Sequence, residues 1–525
     1  MTSSIPSLSF VLLALAASAS AQTYYVDPQS GSNSNSGSAA APFATMSYAA
    51  SQASPGVSLT INLMPGVYSA NSGEVFPVTL PGDCVLQGVQ PFGVRIDHSL
   101  PPSVVAQATP AIAVTAVSGA PRAEIRNLRI TGNQQGILMQ SVGAQGATFC
   151  VDNVETRMTL SSYQNSGVGI QVFNDDSHLV TFFAEDCRNS DASIGMWIRS
   201  NFDQVYAVVE RCSSDMPATV LPSGTGYRID GTNGGRVDMG VVTSTVTHRL
   251  RGFESQMIGG SLGDLTLRHC AVHDCGIQSF VFPSGLTIEG GGISETAGSL
   301  LRCTVQGSAF YGNQADMPNY TAGTYGVVES LVQDPALVAL GNLTGDPKWV
   351  DASNGDFHLR PGSPCRDQVT YTTPSQVPSC NGMGGLVDLD GDDRLSACAN
   401  AVDIGPDESF DADIYVRGGL DAAINTTLSI YVYGDGGSIG LVVGGPAYAP
   451  CSLPANLAAY TLLIPPFMMP GTPGTRDYQQ TSLAVPNDPA LVGQTAQVSS
   501  AFLTSAGGIP GLQVAANYRA IQIWQ

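Results

Sequence analysis

The densest group of residues that could do chemistry is the acidic run Asp388-Leu-Asp390-Gly-Asp392-Asp393. Carboxylates at positions one, three and five of a turn that contains glycine can point at one centre, as the oxygen ligands of Ca²⁺ do. The run differs from an EF-hand, because its Gly is at position four and no Glu stands at position twelve. We therefore predict Ca²⁺ ligands at Asp388, Asp390 and Asp392, with Asp403 or Glu408 completing the shell. The alternative is a turn whose carboxylates accept hydrogen bonds from backbone amides.

A second set of polar residues, Asn174-Asp175-Asp176 with His178, could serve a glycoside hydrolase. Such an enzyme needs two or three carboxylates that face one groove, and their separation decides between retention and inversion. The sequence lacks the Gly-His-Gly and Arg-x-Lys strings that polygalacturonase-like enzymes carry further on. A polar loop at a corner of the fold is therefore the favoured interpretation.

Arginines offer a third kind of chemistry. A lyase acting on an acidic polysaccharide needs a strong base near the sugar carbon, and Arg or Lys can supply it. Lys348 is the only lysine, and four arginines lie in the middle of the chain: Arg199, Arg228, Arg249 and Arg251. Nothing in the sequence selects one of them, so the catalytic residues stay open.

The elements that would position these residues begin with an N-terminal segment from Thr23 to Gly88. It predicts a short strand from Tyr24 to Asp27 and then a helical turn opened by Pro42, with Phe43, Met46, Ala49 and Ala50 on one apolar face. Such a helix can plug the open end of a solenoid.

This segment resembles the N-terminal domain of unknown function that precedes many right-handed parallel β-helices, including some pectate lyases. The resemblance implies a pectin-lyase-like β-helix fold, and it implies Lys as the base of the lyases that carry the domain. The matching residues are Tyr25-Val26, Gly31-Ser32, Pro42 to Thr45, Pro55-Gly56, Pro65 to Tyr68, Gly73-Glu74 and Phe76-Pro77.

The middle of the chain repeats a β-rich segment followed by Asn, Ser or Cys and a turn. The repeats come every 25 to 34 residues, which fits β-helix coils with loops of different lengths at their corners. A second strand of each coil is visible as Gly before a partly apolar run, in GVGIQVF, SIGMWIRS, GTGYRIDG and RGFESQM. The marker positions of the first pattern are Asn127, Asn153, Cys187, Cys212, Ser244, Cys270, Cys303 and Ser330.

Two further segments resemble parts of exported β-helix proteins. Residues 345–408 resemble their closing coils, on FHLRPGSPCRD and on DLDGDDR followed by DIGPDE. Residues 410–525 show short alternating strands between Pro- and Gly-rich turns, which predicts a β-sandwich. LAVPNDPALVGQTAQVSSAF within them resembles a C-terminal module of exported proteins from planctomycete-like bacteria.

Composition and charge limit the partners. With 42 acidic against 21 basic residues the formal charge is −21, which excludes nucleic acid and anionic membranes as preferred partners. The 59 glycines and the low share of charged residues, 12%, favour short strands and turns.

Export is predicted from residues 1–21, where an apolar run from Phe10 to Ala17 precedes Ala19-Ser20-Ala21, the small-x-small pattern of a cleaved signal. No later stretch is apolar enough to predict a membrane span. In an exported chain the 11 cysteines predict some disulfides, with Cys187 and Cys212, Cys270 and Cys275, and the trio Cys365, Cys380 and Cys398 as participants.

These observations predict an all-β, secreted or cell-surface protein with a right-handed parallel β-helix and a small C-terminal β-sandwich. The expected domains are a signal peptide (1–21), the β-helix (22–409) with its cap (22–88) and closing coils (345–408), and the sandwich (410–525). Interaction with a polysaccharide or a cell-surface glycan is the favoured function, which includes a polysaccharide lyase or a degenerate relative of one. The alternative is a non-enzymatic surface or adhesive protein in which the β-helix is a rigid scaffold.

Overall fold

The architecture was obtained from a computed structural model. It is nearly all-β and is dominated by two large parallel sheets. The predicted signal peptide lies outside the described residues. The structure describes residues 21–91, 93–99, 109–158, 167–216, 224–276, 280–281, 287–288, 291–295, 301–319, 324–360, 362–370, 377–379, 382–384, 387–389, 394, 401–408, 413–417, 421–423, 427–435, 439–444, 461–463, 465–469, 476–485, 495–504 and 511–524.

The N-terminal cap is built around a short helix, α1 (Met46–Ser51). Thr45 is its N-cap and accepts the amide of Tyr48, while the Glu74 carboxylate accepts the amides of Met46 at 2.6 Å and Ser47 at 3.1 Å. The first amides of a helix have no partner within it, and Thr45 and Glu74 supply partners for three of them. Phe43, Met46, Ala49 and Ala50 are buried as predicted. The helix starts four residues later than predicted, because the Phe43 amide bonds the Tyr25 carbonyl and holds Pro42 and Phe43 extended beside the first strand.

Each coil of the solenoid contributes one strand to an eight-stranded sheet and one or two strands to an 18-stranded sheet, in which neighbouring coils pair in parallel. Parallel strands joined by crossovers are right-handed almost without exception, so this is a right-handed parallel β-helix. The strands are β1 (Gln22–Val26), β2 (Leu59–Leu63), β3 (Gly66–Ser69), β4 (Val78–Pro81), β5 (Cys84–Gly88), β6 (Val94–His98), β7 (Pro110–Ala116), β8 (Arg122–Gly132), β9 (Gln135–Ser141), β10 (Ala147–Met158), β11 (Val168–Asn174), β12 (Val180–Glu185), β13 (Arg188–Ser190), β14 (Ile194–Ser200), β15 (Gln204–Glu210), β16 (Ser213–Asp215), β17 (Thr225–Gly231), β18 (Arg236–Val242), β19 (Thr245–Thr247), β20 (Arg251–Met257), β21 (Leu262–Arg268), β22 (Ala271–His273), β23 (Phe280–Val281), β24 (Thr287–Ile288), β25 (Gly291–Glu295), β26 (Leu301–Gln306), β27 (Ala309–Tyr311) and β28 (Tyr325–Val328). Of these, β23 and β24 form a separate antiparallel pair.

A bend divides the long strands of the 18-stranded sheet, and one residue in each coil adopts the left-handed conformation there. From Cys187 onward this next residue is Cys or Ser, whose side chain turns inward and whose thiol or hydroxyl repairs the broken ladder of backbone hydrogen bonds. In the two coils before it the next residues are the buried Leu128 and Val154. The Cys212 amide donates to Ser244 Oγ at 3.0 Å, and Ser244 Oγ donates to the Val242 carbonyl at 2.8 Å. The left-handed residues, with φ between 48° and 60°, are Asn127, Asn153, Asp186, Arg211, Thr243, His269, Gly307 and Glu329.

This ladder corrects the predicted register in two places. Asn127 and Asn153 stand one residue earlier, at the left-handed position, where Asn153 Nδ2 donates to Asn127 Oδ1 at 3.0 Å. Cys303 is not in the column; Ser308 occupies it and accepts the Cys270 amide at 3.1 Å. None of the described cysteines forms a predicted disulfide, and Cys380 and Cys398 of the predicted trio lie outside the described residues. The described cysteines are all unpaired and buried: Cys84, Cys150, Cys187, Cys212, Cys270, Cys275, Cys303 and Cys365.

A column of glycines lies near the first residues of the strands in the eight-stranded sheet, as the sequence pattern predicted. A Cβ on Gly226 would lie 2.6 Å from the Gly252 carbonyl oxygen, and one on Gly252 would lie 2.6 Å from the Gly292 carbonyl oxygen. The coils approach so closely at this corner that only glycine fits. Aliphatic side chains, Met, Cys, Phe and Tyr from successive coils fill the interior as one continuous core.

The closing segment folds against the last coils: the Gly405 amide donates to the Gly307 carbonyl at 2.8 Å, and the Thr243 hydroxyl donates to the Val387 carbonyl at 3.1 Å. No helix in the described part of the chain is long and apolar enough to cross a membrane. The elements from here to residue 408 are α2 (Pro335–Val338), β29 (Trp349–Asp351), β30 (Asp356–Leu359), β31 (Val369–Thr370), β32 (Val377–Ser379), β33 (Gly382–Gly384) and β34 (Ala401–Val402).

The C-terminal strands form a three-stranded and a six-stranded sheet in mainly antiparallel pairing, and strands of the two sheets are in contact, as expected for a small sandwich. They are β35 (Asp413–Arg417), β36 (Asp421–Ala423), β37 (Thr427–Asp435), β38 (Ile439–Gly444), β39 (Thr461–Leu462), β40 (Phe467–Met468), β41 (Arg476–Ala484), β42 (Thr495–Thr504) and β43 (Gly511–Trp524).

Candidate functional site

The outer face of the eight-stranded sheet gathers the aromatic and charged residues that the sequence leaves scattered. Alternate residues of a strand point to opposite sides, so buried Ile170, Met196, Tyr227 and Phe253 place their neighbours outward. The parallel register then stacks the outward residues of β11, β14, β17 and β20 in two columns. We call this surface the candidate face, and its members are Gln171, Phe173, Trp197, Arg199, Arg228, Asp230, Glu254 and Gln256.

Arg199 lies on an aromatic floor. Its guanidinium carbon is 4.9 Å from the centre of the Phe173 ring and 4.7 Å from that of Trp197, within the range of cation–π attraction. Within the described residues no hydrogen bond or ion pair engages this guanidinium. Its donors are therefore available to a ligand.

Arg228 occupies the next coil and is held by its neighbours. Its Nε donates to Asp230 Oδ1 at 2.9 Å, its Nη2 donates to Gln256 Oε1 at 2.6 Å, and its guanidinium carbon lies 5.1 Å from the centre of the Trp197 ring. Trp197 Nε1 completes the network by donating to Asp230 Oδ2 at 2.9 Å. The network fixes the Trp197 ring, and with it the floor beneath Arg199.

Glu254 closes the face on the following coil. It accepts the Thr225 hydroxyl at 2.8 Å and Nη1 of Arg251 at 3.0 Å, and it lies 3.7 Å from Nη1 of Arg228. Both carboxylates of the candidate face are thus paired with arginine.

Burial changes the protonation of these groups. It lowers the pKa of Arg199, and the positive charge of Arg228 acts in the same direction, against the opposing pull of Asp230 and Asp175. Burial also raises the pKa of Asp230, and Arg228 and Trp197 offset only part of that rise. For Arg228, burial is outweighed by Asp230 and Glu254, so its pKa is raised. Arg199 is the arginine of this face whose charged form is least favoured, which suits a group that exchanges a proton.

The four arginines named from the sequence separate into two sets. Arg199, Arg228 and Arg251 meet on the eight-stranded sheet. Arg249 is fully buried inside the coil stack, where it donates to the Asn189 and Asp215 carbonyls, both at 3.1 Å, and burial lowers its pKa to about 10. It ties successive coils together and does not reach the surface.

Lys348 lies away from this face. Its ammonium donates to the Gly362 carbonyl at 2.8 Å within the closing segment, as its sequence context predicted.

The set from Asn174 to His178 forms a corner between β11 and β12. Asn174 is fully buried and donates to the His178 carbonyl at 2.9 Å and to the Gln204 carbonyl at 3.2 Å, so it links two coils. Asp175 accepts from Asn201 at 2.8 Å, and Asn201 accepts from Thr232 at 2.6 Å, which makes a polar row along the edge of the candidate face. The geometry supports the interpretation as a coil corner.

Of the predicted Ca²⁺ ligands, only Asp388 is described; Asp390 and Asp392 lie outside the described residues. Asp388 is buried and accepts the Glu408 amide at 3.4 Å. Glu408 accepts Nη1 of Arg394 at 2.7 Å, and Asp403 accepts the Asp367 amide at 2.7 Å. The two carboxylates expected to complete the shell therefore have partners within the protein. Among the described residues, no group of three His, Cys, Asp or Glu could hold a metal ion.

Calcium at the acidic run accordingly stays a prediction. If a chelator leaves the melting temperature unchanged, the prediction of a calcium site is contradicted.

The aromatic floor and its carboxylates were missed by the sequence analysis, although a signal was present. If the glycine column is used as the register, the second residue after Gly169, Gly195, Gly226 and Gly252 gives Gln171, Trp197, Arg228 and Glu254. Aligning the four segments on glycine would have assembled one column of the face.

The chain is similar to one family model and to two solved structures. Residues 29–178 match a family model described as "Protein of unknown function (DUF1565)". No curated protein matches the chain. A solved rhamnogalacturonan lyase is 13% identical, with a TM-score of 0.34, over 59% of this chain and 87% of the lyase chain. A pectin methylesterase from carrot is also 13% identical, with a TM-score of 0.29, over 64% of this chain and 97% of the esterase.

Likenesses of this size say nothing about chemistry, and the parallel pairing of successive coils is what establishes the solenoid. The family match extends from the N-terminal cap into the first coils, which confirms the resemblance found in the sequence. The chain is a right-handed parallel β-helix protein whose residues 29–178 match a family of unknown function.

Proposed function

We propose that this protein binds a polysaccharide or cell-surface glycan along the candidate face, outside the cytoplasm. The observation that carries the proposal is the uncompensated Arg199 on the rings of Phe173 and Trp197. Aromatic faces pack against the apolar faces of sugars, and fixed polar groups beside them hydrogen-bond to hydroxyls. Gln171, Gln256 and Asn201 supply such groups around the rings.

The finer proposal is that the protein is a polysaccharide lyase with Arg199 as the base. The neutral form of Arg199 would take the proton from the carbon next to a uronate carboxylate. That carbon's electron pair forms the new double bond, the glycosidic C–O bond breaks, and the leaving oxygen takes up a proton. The lowered pKa of Arg199 favours the first step. Both carboxylates of the face are held by arginines, so the described face does not fit a calcium ion.

The test is a panel of acidic and neutral polysaccharides, with and without Ca²⁺, followed by absorbance of unsaturated products, by new reducing ends and by direct binding. We expect binding that falls about ten-fold or more in Trp197→Ala, because the stacking surface is lost. Arg236→Gln is the matched control, since Arg236 pairs with Asp238 and Asp264 on the other sheet.

The possible results distinguish a lyase, a glycan-binding protein and a scaffold. Unsaturated products that disappear in Arg199→Lys support the lyase. Binding without products leaves a glycan-binding protein. No binding to any polymer would contradict the proposal and favour a scaffold role.

A further inference from the structure

We propose that the ligand of the candidate face carries isolated anionic groups among neutral sugars, with one anionic sugar at Arg199 and neutral sugars on both sides. This inference rests on the proposed glycan binding and names the class of glycan. It uses the charged guanidinium of Arg199, so it rests on glycan binding and not on the finer proposal of a lyase.

The arginines of the eight-stranded sheet differ in whether their charge is already paired. Three arginines lie on the eight-stranded sheet here, and two are neutralised: Arg228 by Asp230 at 2.9 Å, and Arg251 by Glu254 at 3.0 Å. Arg199 alone keeps its donors free within the described part of this face. One guanidinium can take one carboxylate or sulfate, in a bidentate hydrogen bond that Lys could not reproduce.

The two coils that precede Arg199 carry no cation in the columns of the candidate face. Paired strands place their residues about 4.8 Å apart, so a chain lying along the coil stack meets a new coil at each such step. On the preceding coil Arg199 is in register with Phe173, and Trp197 is in register with Gln171. One coil earlier the same columns hold Leu138 and Gln140. No cation is available there for a second anionic sugar.

On the other side of Arg199, too, the face offers no free positive charge within the described residues. Arg199 is in register with Asp230 on the following coil, and Asp175 lies near enough at the edge to act on its charge. A second anion on the following coil would meet Asp230, whose charge Arg228 balances, and one at the edge would meet Asp175, so neither position attracts it. The whole chain adds to this effect, because its formal charge of −21 disfavours a dense polyanion.

Neutral hydrogen-bonding groups occupy the flanks instead. Gln135 donates to Gln171 at 2.8 Å on the N-terminal side, and Gln256 accepts from Arg228 on the C-terminal side. Asn201 and Thr232 continue the row at the edge. Amides and hydroxyls of this kind suit sugar hydroxyls.

The experiment compares three linear polymers as probes: polygalacturonate, with a carboxylate on every sugar; gellan, in which one sugar of each repeat is a uronate; and a neutral glucan. Binding to the full mature chain is measured by calorimetry at two salt concentrations. We expect gellan to bind tightest, with the weak salt dependence of a single ion pair.

Arg199→Gln should then weaken gellan binding by about ten-fold to a hundred-fold and leave the neutral glucan unchanged, because only the ion pair is lost. Arg199→Lys should keep part of the preference for gellan. Arg236→Gln removes one positive charge on the other sheet and should bind like the wild type. Unchanged thermal melting of each variant shows that folding is intact.

Two results would overturn the inference while leaving the proposed function standing: tightest binding of polygalacturonate, or glycan binding that is lost in Trp197→Ala and indifferent to Arg199→Gln. Absence of binding to all three polymers would contradict both.

Discussion

At the scale of single residues, Arg199 differs from most arginines of this solenoid in its surroundings. Most arginines on the 18-stranded sheet pair with acids of their own or a neighbouring coil, as Arg129 does with Glu155 at 2.6 Å. Exposed pairs of this kind contribute little stability individually. Arg199, by contrast, lies against the rings of Phe173 and Trp197.

Glu210 is a buried carboxylate that should make stability depend on pH. Burial raises its pKa to about 7, and Arg211 cannot offset this because that guanidinium is shared with Glu185 and Asp186. Below the unfolded pKa near 4.5 both states hold the proton and no effect arises. As pH rises towards 7 the unfolded state ionises first, so stability is lost across that window.

We therefore expect Glu210→Gln to be more stable than the wild type at about pH 8, by on the order of 2 kcal/mol, with a smaller difference at about pH 4.5. Urea unfolding of both proteins at the two pH values measures this. A difference that is the same at both would contradict it.

The inward ladder offers a second test at this scale. Ser244→Ala removes the acceptor of the Cys212 amide and leaves that buried donor without a partner, so we expect a loss of about 1–3 kcal/mol. Ser244→Cys is the control, because cysteine fills the same position at residues 187, 212 and 270. The midpoints of denaturant unfolding, compared at equal m-value, measure the stability of the two variants. Equal losses in both would argue against the hydrogen bond as the cause.

At the scale of elements, the glycine column sets how closely successive coils stack. We expect Gly226→Ala to cost several kcal/mol, since the new Cβ would meet the Gly252 carbonyl oxygen and Val246 Cγ1, each at 2.6 Å. Gly326→Ala is the matched control, because a Cβ added there would have no atom within 4 Å and the backbone is in an extended strand. Thermal melting compares them, and a Gly226→Ala protein as stable as Gly326→Ala would contradict the packing argument.

The capping helix and the closing segment finish the two ends of the stack by different means. α1 seals its end with apolar residues and satisfies its own amides through Thr45 and Glu74. The closing segment uses buried charges, with His358 Nδ1 2.9 Å from Asp407 and 3.0 Å from Asp356. Although burial opposes its charge, these carboxylates raise the pKa of His358 well above the ordinary value. Asp356 and Asp407 thus have a structural use in this segment as partners of His358.

At the scale of the whole molecule, the coil stack is held without disulfides among the described cysteines. We expect all eight of these thiols to resist alkylation in the native protein and to react fully in denaturant without a reductant, because each is buried and unpaired. Mass spectrometry of peptides after alkylation measures this. Protection of Cys187 and Cys212 that persists in denaturant until a reductant is added would show a disulfide instead.

The sequence by itself determined the all-β class, the solenoid, the buried apolar face of α1 and the glycine column. These features depend on local preferences and on a repeat whose units contact only their neighbours, so they survive without knowledge of distant contacts. The pairing of Arg228 with Asp230 and the burial of Arg249 were decided by the tertiary structure. Loops of unequal length shift each coil along the chain, so residues that stack in space, such as Trp197 and Arg228, carry no fixed spacing in sequence. The register of the folded coils, which the sequence shows only relative to the glycine column, brings Arg199 onto the rings of Phe173 and Trp197.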